Sequence, residues 1–134
     1  MPVVKTETIS VADSADIVAV RHAVRRQAVN INLSLVDQTK IVTAASELAR
    51  NMLIYGGGGE VTLELLQEGV RRGLRAHFVD AGPGIPNVDL AMRDGFTTGK
   101  GMGLGLGGAK RLVNEFSIES APGKGTRVTI TRWR

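Results

Sequence analysis

The chain has 134 residues, with 17 Lys and Arg against 13 Asp and Glu, a net charge of +4 and no cysteine. The length fits one domain with a core of its own, and the lack of cysteine excludes disulfides, thiolate metal sites and cysteine nucleophiles and suits a reducing cytoplasm. No apolar run approaches the ~20 residues of a membrane span; aromatics are only 4% of the chain, too few to stack single strands, so neither a membrane nor nucleic acid is expected as a partner.

Val3 to Val11 alternates weakly and is β-prone, which predicts a first strand at an edge or with an exposed face. Asp13 or Ser14 caps a helix running to about Val29, with Ile17, Val20, Val24 and Ala28 as its apolar stripe. Asn30, Ile31 and Asn32 break it. Ser34 caps a second helix to about Tyr55, striped by Ile41, Ala44, Ala45, Leu48 and Met52, and the glycines 56–59 end it. Strands over residues 60–67 and 73–80 follow, joined by a turn at Glu68 and Gly69. A short helix is expected around residues 87–92, then a loop over 95–101 and a helix over about 104–115. Strands over 116–120 and 126–133 close the chain around Pro122, Gly123, Lys124 and Gly125. The expectation is a single α+β domain over residues 1–134, its helices layered on one face of a mixed, mainly antiparallel sheet.

Three stretches bear chemistry. On the second helix Glu47 and Asn51 are four residues apart and share a face beside the apolar stripe. An Asn oxygen there can ligate Mg²⁺, and a Glu one turn away can take a proton from an attacking hydroxyl; two surface polar residues in mutual contact fit the same spacing. The strand over 73–80 ends on Asp80, and Ala81-Gly82-Pro83-Gly84-Ile85-Pro86 turns sharply after it. A carboxylate at a sheet's end, beside backbone bared by glycine, suits the amino group of a flat base; alone, the stretch also fits a tight turn capped by Asp. The third stretch, Gly101-Met102-Gly103-Leu104-Gly105-Leu106-Gly107-Gly108, opens a helix, where bare amides attract anions; a flexible hinge is its rival. Gly103, Gly105 and Gly108 match G-x-G-x-x-G, but a polar Thr-Thr-Gly-Lys loop precedes them where a dinucleotide fold needs a strand. A Walker A loop fails as well, since Gly101 stands where Ser or Thr should follow Lys100.

In order, E-L-x-x-N on a helix, D-x-G-x-G-I after a strand, G-x-G-L-G-L opening a helix and Gly125-Thr126 entering the last strand resemble the Bergerat (GHKL) ATP-binding fold of gyrases, chaperones, histidine kinases and the MutL repair protein. The resemblance spans nearly the whole chain and implies an α+β two-layer sandwich that binds ATP and Mg²⁺. It implies that Asp80, helped by Thr126, binds adenine, with Gly82, Gly84 and Ile85 along the adenine side. Asn51 would be the Mg²⁺ ligand and Glu47 the general base. Residues 96–105 would form a lid over the ATP. In it Thr97, Thr98, Met102 and Leu104 would border the nucleotide, and Gly101, Gly103 and Gly105 would give amides to the phosphates. Lys100 would add charge there or sit solvated.

At this length neither a transducer domain nor a phospho-accepting dimerisation helix is expected. His22 lacks the acidic neighbour of a histidine-kinase H-box, and His77 falls on the second face of its strand. A stand-alone kinase domain is expected, and the fit is closest to RsbT-type serine/threonine kinases of the bacterial stressosome. That likeness is carried by Ala45 to Asn51, Asp94 to Thr98, Gly107 to Ser117 and the chain's end from Gly123. It implies ATP-dependent phosphorylation of STAS-domain proteins (RsbS- or RsbR-like) that also act as scaffold, with a PP2C-type phosphatase or other effector downstream, in the cytoplasm. An anti-sigma-factor kinase and a nucleotide-gated docking module are the alternatives. The four glycines 56–59 exceed what the family leads one to expect there.

Overall fold

Alternating strands and two striped helices resolve into two layers in a computed structural model, which describes residues 3–85, 88, 92 and 106–134. The described elements are β1 (Val3–Val11), α1 (Ser14–Asn30), α2 (Leu35–Gly56), β2 (Gly59–Glu68), β3 (Arg71–Asp80), α3 (Leu106–Arg111), β4 (Glu115–Ser120) and β5 (Thr126–Trp133). The sheet order is β1-β2-β3-β5-β4, which puts β3 at the centre and β1 at an edge, as its composition suggests. Every neighbouring pair is antiparallel, so no parallel pairing occurs among the described strands.

Caps fix where the helices start. Asp13 accepts the amides of Ala15 and Asp16 while Asp16 reaches back to the Asp13 amide, a reciprocal capping box. Ser34 accepts the Asp37 amide at the head of α2. At the other end Gly57 takes a left-handed φ of 76°, which glycine adopts without a Cβ penalty, and closes α2.

One face of the sheet meets both long helices. Val61, Leu63, Leu74, Ala76, Phe78, Val128 and Ile130 point from the strands into a core completed by Val20, Val24 and Ala28 of α1. The α2 stripe, Ile41, Ala44, Ala45, Leu48 and Met52, is buried in full. Each large apolar side chain so buried contributes about 1.5–3 kcal/mol. Gln27 is a polar core residue that the stripe did not reveal; its amide donates to Glu7 at 2.9 Å and accepts from Asn30 at 3.0 Å.

The opposite face carries polar pairs. His77 bridges Glu64 (2.7 Å) and Thr129 (3.0 Å), consistent with the second-face placement expected for it. Trp133 covers one end of this face. Its Nε1 donates to Glu115 at 2.6 Å, and the Arg71 guanidinium lies 3.9 Å above its ring.

Two boundaries differ from expectation. The last helix stops at Arg111, because Leu112 and Val113 turn tightly onto Ala109 and Lys110 and the Asn114 amide is captured by Thr131 O at 2.9 Å. The chain thus enters the sheet at Glu115. The helix expected around residues 87–92 and the beginning of the next at 104 lie mostly outside the described residues; within them, the Met92 amide donates to Val88 O at 3.0 Å.

Polar ties join the layers at their rims. Arg132 of β5 holds Asp37 of α2 at 2.6 Å, and Arg26 of α1 holds Glu7 of β1 at 2.6 Å. The hydrogen bond from Arg132, reinforced by its charge, holds the Asp37 carboxyl below its ordinary value of 3.8. A carboxyl depressed in the folded state stabilises fully above its unfolded value, and that stability is lost as pH falls through the folded value. Asp37→Asn is therefore expected to lower stability by about 1 kcal/mol at neutral pH. In urea titrations the gap between wild type and variant should be widest above pH ~5 and close as acid protonates Asp37. A gap that persists unchanged into acid would rule out this ion pair as its source.

Candidate functional site

The last turns of α2, the end of β3 with the loop 81–85, the start of β5 and Leu106 of α3 surround a small cleft of about 50 Å³, open to solvent on one side. Leu48, Met52, Phe78, Ile85, Leu106 and Val128 make its walls apolar, and Tyr55 adds an aromatic ring. Among these sit three polar side chains, Asn51, Asp80 and Thr126.

Asp80 is the last residue of the central strand, paired in register with Gly59 on one side and Thr126 on the other. Its Oδ1 accepts the Gly82 amide at 2.9 Å. Its other flank rests on Gly56, where a Cβ would stand 2.6 Å from Oδ2. No side chain fits there without moving the carboxylate. Gly125 is equally constrained, at φ 73° with the Asp80 carbonyl where its Cβ would be. The carboxylate also lies at the C-terminal, electronegative end of α2. Both charges favour a ligand that brings hydrogen-bond donors.

Asn51 faces the same cleft from α2, and its buried Nδ2 has no hydrogen-bond partner among the described residues. An orphaned buried amide end is costly unless a ligand satisfies it. Glu47 lies one turn earlier on α2, half-buried, and is not among the residues lining the cleft.

The loop after β3 is pinned to the β4–β5 turn. Gly123 N donates to Pro83 O at 2.7 Å, and Ile85 N donates to Ser120 Oγ at 2.8 Å. Ser120 Oγ also donates to Gly125 O at 3.0 Å and lies 2.8 Å from Thr126 Oγ1. Gly84 and Ile85 line the cleft as the sequence suggests, but the reason for the glycines differs. Gly84 leaves room for the Ala121 carbonyl, and Gly82, which is not a lining residue, packs against the Gly56 backbone while its amide holds Asp80. The glycines serve close approach of backbone to backbone.

Sequence reasoning thus brought together Asn51, Asp80, Gly84, Ile85 and Thr126, named Gly125 only as part of the motif entering the last strand, and missed Gly56, Tyr55 and Ser120. A glycine ending a helix and a serine ending a strand are too common to signal a site. The glycine run 56–59 is accounted for position by position: Gly56 admits Asp80, Gly57 caps α2, and Gly58 and Gly59 leave room for the carbonyls of Val11 and Val79. The expected lid residues Thr97, Thr98, Lys100, Gly101, Met102, Gly103, Leu104 and Gly105 lie outside the described residues.

Comparison with known proteins shows the family. The family of histidine kinase-, DNA gyrase B-, and HSP90-like ATPases matches residues 36–133. Serine/threonine-protein kinase RsbT of Bacillus subtilis is 44% identical over 118 residues, which cover 88% of this chain and 89% of that one. An anti-sigma F factor of Thermoanaerobacter is 29% identical over 84% of this chain and 82% of its own. Among solved structures, that of the RsbU and RsbW domains of a Mycobacterium tuberculosis protein superposes with a TM-score of 0.68 at 25% identity, covering 97% of this chain and 33% of that one. The chain belongs to the histidine kinase-, DNA gyrase B-, and HSP90-like ATPase family, and within it to the serine/threonine kinases of the RsbT type.

Proposed function

We propose that this kinase transfers the γ-phosphoryl group of ATP to a Ser or Thr hydroxyl of a STAS-domain protein in a bacterial partner-switching pathway, with the cleft beside Asp80 as its nucleotide site. The observation that carries the reading is a fixed carboxylate at one end of an apolar cleft that also holds an orphaned Asn51 amide. The apolar walls suit a flat base, and Asp80 with the helix end behind it suits an exocyclic amino group.

Asn51 fits a Mg²⁺ ion. Among the described residues its Nδ2 makes no hydrogen bond, and turning the amide over would bring the oxygen to that position. The ion, when bound, supplies neutralisation of phosphate charge. Glu47, one turn nearer the start of α2, takes the proton of the acceptor hydroxyl. The glycine-rich segment 101–105 would offer backbone amides to the phosphates. Catalysis is then mainly positioning and charge neutralisation.

The likeness to RsbT supports STAS-domain proteins (RsbS- or RsbR-like) as substrates and scaffold, a PP2C-type phosphatase as downstream effector and action in the cytoplasm. Among the described residues no helix is long and apolar enough to cross a membrane. The likeness to anti-sigma F factors supports a second reading, a kinase that also holds a sigma factor.

The deciding experiment is incubation with γ-labelled Mg-ATP and the STAS-domain proteins of the same cell. Acid-stable label on a STAS Ser or Thr is expected; no transfer despite ATP binding would favour the anti-sigma reading, which a sigma-factor pull-down then tests. In the same assay Glu47→Ala should lower turnover by about 10²-fold or more with ATP affinity retained. Wild-type turnover in that variant would remove Glu47 as the base. Asp80→Asn should weaken ATP binding itself, read by calorimetric titration. Gly56→Ala should weaken it too, by roughly tenfold or more, since its methyl displaces the carboxylate. Unchanged ATP affinity in both variants would move the base end of the nucleotide elsewhere.

A further inference from the structure

Ser120 is the hub of the polar groups behind the cleft. It has three partners within 3.0 Å: Ile85 N, Gly125 O and Thr126 Oγ1. A serine hydroxyl owns one proton and two lone pairs. The Ile85 amide can only donate, so it takes one lone pair. The Gly125 carbonyl can only accept, so it takes the proton. One lone pair remains, and Thr126 can meet it only as the donor. The Thr126 proton is therefore committed to Ser120, and only lone pairs are left for the cleft that Thr126 lines.

Thr126 stands directly opposite Asp80 in the β3–β5 register. The carboxylate oxygens beside it are acceptors as well. Along this rung the cleft wall offers acceptors from both side chains and no donor.

We propose that Ser120 is a positioning residue that sets base selectivity, by holding the Thr126 hydroxyl proton away from the ligand. A purine with an amino group at position 6 meets two acceptors. One with a carbonyl there meets lone pairs facing lone pairs, and Thr126 cannot turn its proton to relieve them while Ser120 keeps it. The inference rests on the proposed placement of the base beside Asp80.

The test compares the affinities of ATP and inosine triphosphate, which carries a carbonyl in place of that amino group. Wild type should prefer ATP. In Ser120→Ala the Thr126 hydroxyl is released and can donate, so the ratio of the two dissociation constants should fall by roughly five- to tenfold, the worth of about one hydrogen bond. Ser120→Thr keeps the hydroxyl and should restore the ratio. Adding Thr126→Val to Ser120→Ala removes the released donor and should also restore it. If Ser120→Ala does not fold, Ser120→Cys takes its place, since a thiol is a poor acceptor of the Thr126 proton. Should Ser120 serve only to pin the loop, both nucleotides would weaken together with the ratio unchanged, and the proposal would be overturned. Asp80→Asn separates the two levels. A ratio that moves in Asp80→Asn but not in the Ser120 variant overturns the role of Ser120 alone; a ratio that moves in neither overturns the base placement with it.

Discussion

The geometry of the site depends on how closely the end of α2 approaches the end of β3. Gly56 touches the Asp80 carboxylate, and Gly82 in turn lies against Gly56, so helix, strand and following loop meet at backbone distance. The approach is set by the core beneath, where Leu48 and Met52 of α2 and Phe78 of β3 are buried in one cluster. Packing that stabilises the domain therefore also fixes the carboxylate. The arrangement has an electrostatic cost, since Asp80 is placed against the electronegative end of a 22-residue helix. The Gly82 amide offsets part of it, and a donor ligand would offset more.

The Asp80 end of the cleft is tied down on several sides. The loop 81–85 is stitched to the β4–β5 turn through Pro83, Ile85 and Ser120, and that turn is continuous with the rung bearing Thr126. Each tie uses a group whose hydrogen-bonding role is fixed, an amide, a carbonyl or a saturated hydroxyl. Such a wall presents a ligand with a preset pattern of acceptors and needs no reorganisation when the ligand arrives, which is what electrostatic preorganisation requires. On the proposed reading recognition belongs to the sheet, and the chemistry to α2, which carries Asn51 and Glu47.

How far the fold is legible in sequence follows from the range of each signal. Helical stripes and strand alternation are local, and the α1 and α2 stripes and all five strands were readable from them. The local patterns at Asp80 and Asn51 each fitted a plainer reading as well, and only the order of the motifs along the chain, through its resemblance to a family, singled them out. Gly56, Ser120 and Gly125 act across elements. Gly56 looks like any glycine of a helix C-terminus until Asp80 is placed 24 residues away against it. Gln27 stayed hidden for a similar reason: its burial is licensed by Glu7 on a strand that only the tertiary fold brings near. The end of α3 was misjudged because the Asn114 amide is taken by Thr131, a partner 17 residues on.

On the proposed reading α2 also works as a ruler. Gly56, Asn51 and Glu47 follow one another up the same helix at spacings of five and four residues. At about 1.5 Å per residue they span roughly 13–14 Å along the axis. A ligand anchored by its base at Asp80 and running beside the helix passes Asn51 first and reaches the level of Glu47 with its far end. Glu47 lies outside the lining of the cleft, where on this reading the acceptor hydroxyl would arrive. A nucleotide and a protein substrate can then approach the same carboxylate-bearing turn from different directions, one from within the cleft and one from its rim. The order of three residues on one helix would in this way fix the order of base, metal and acceptor along the reaction path.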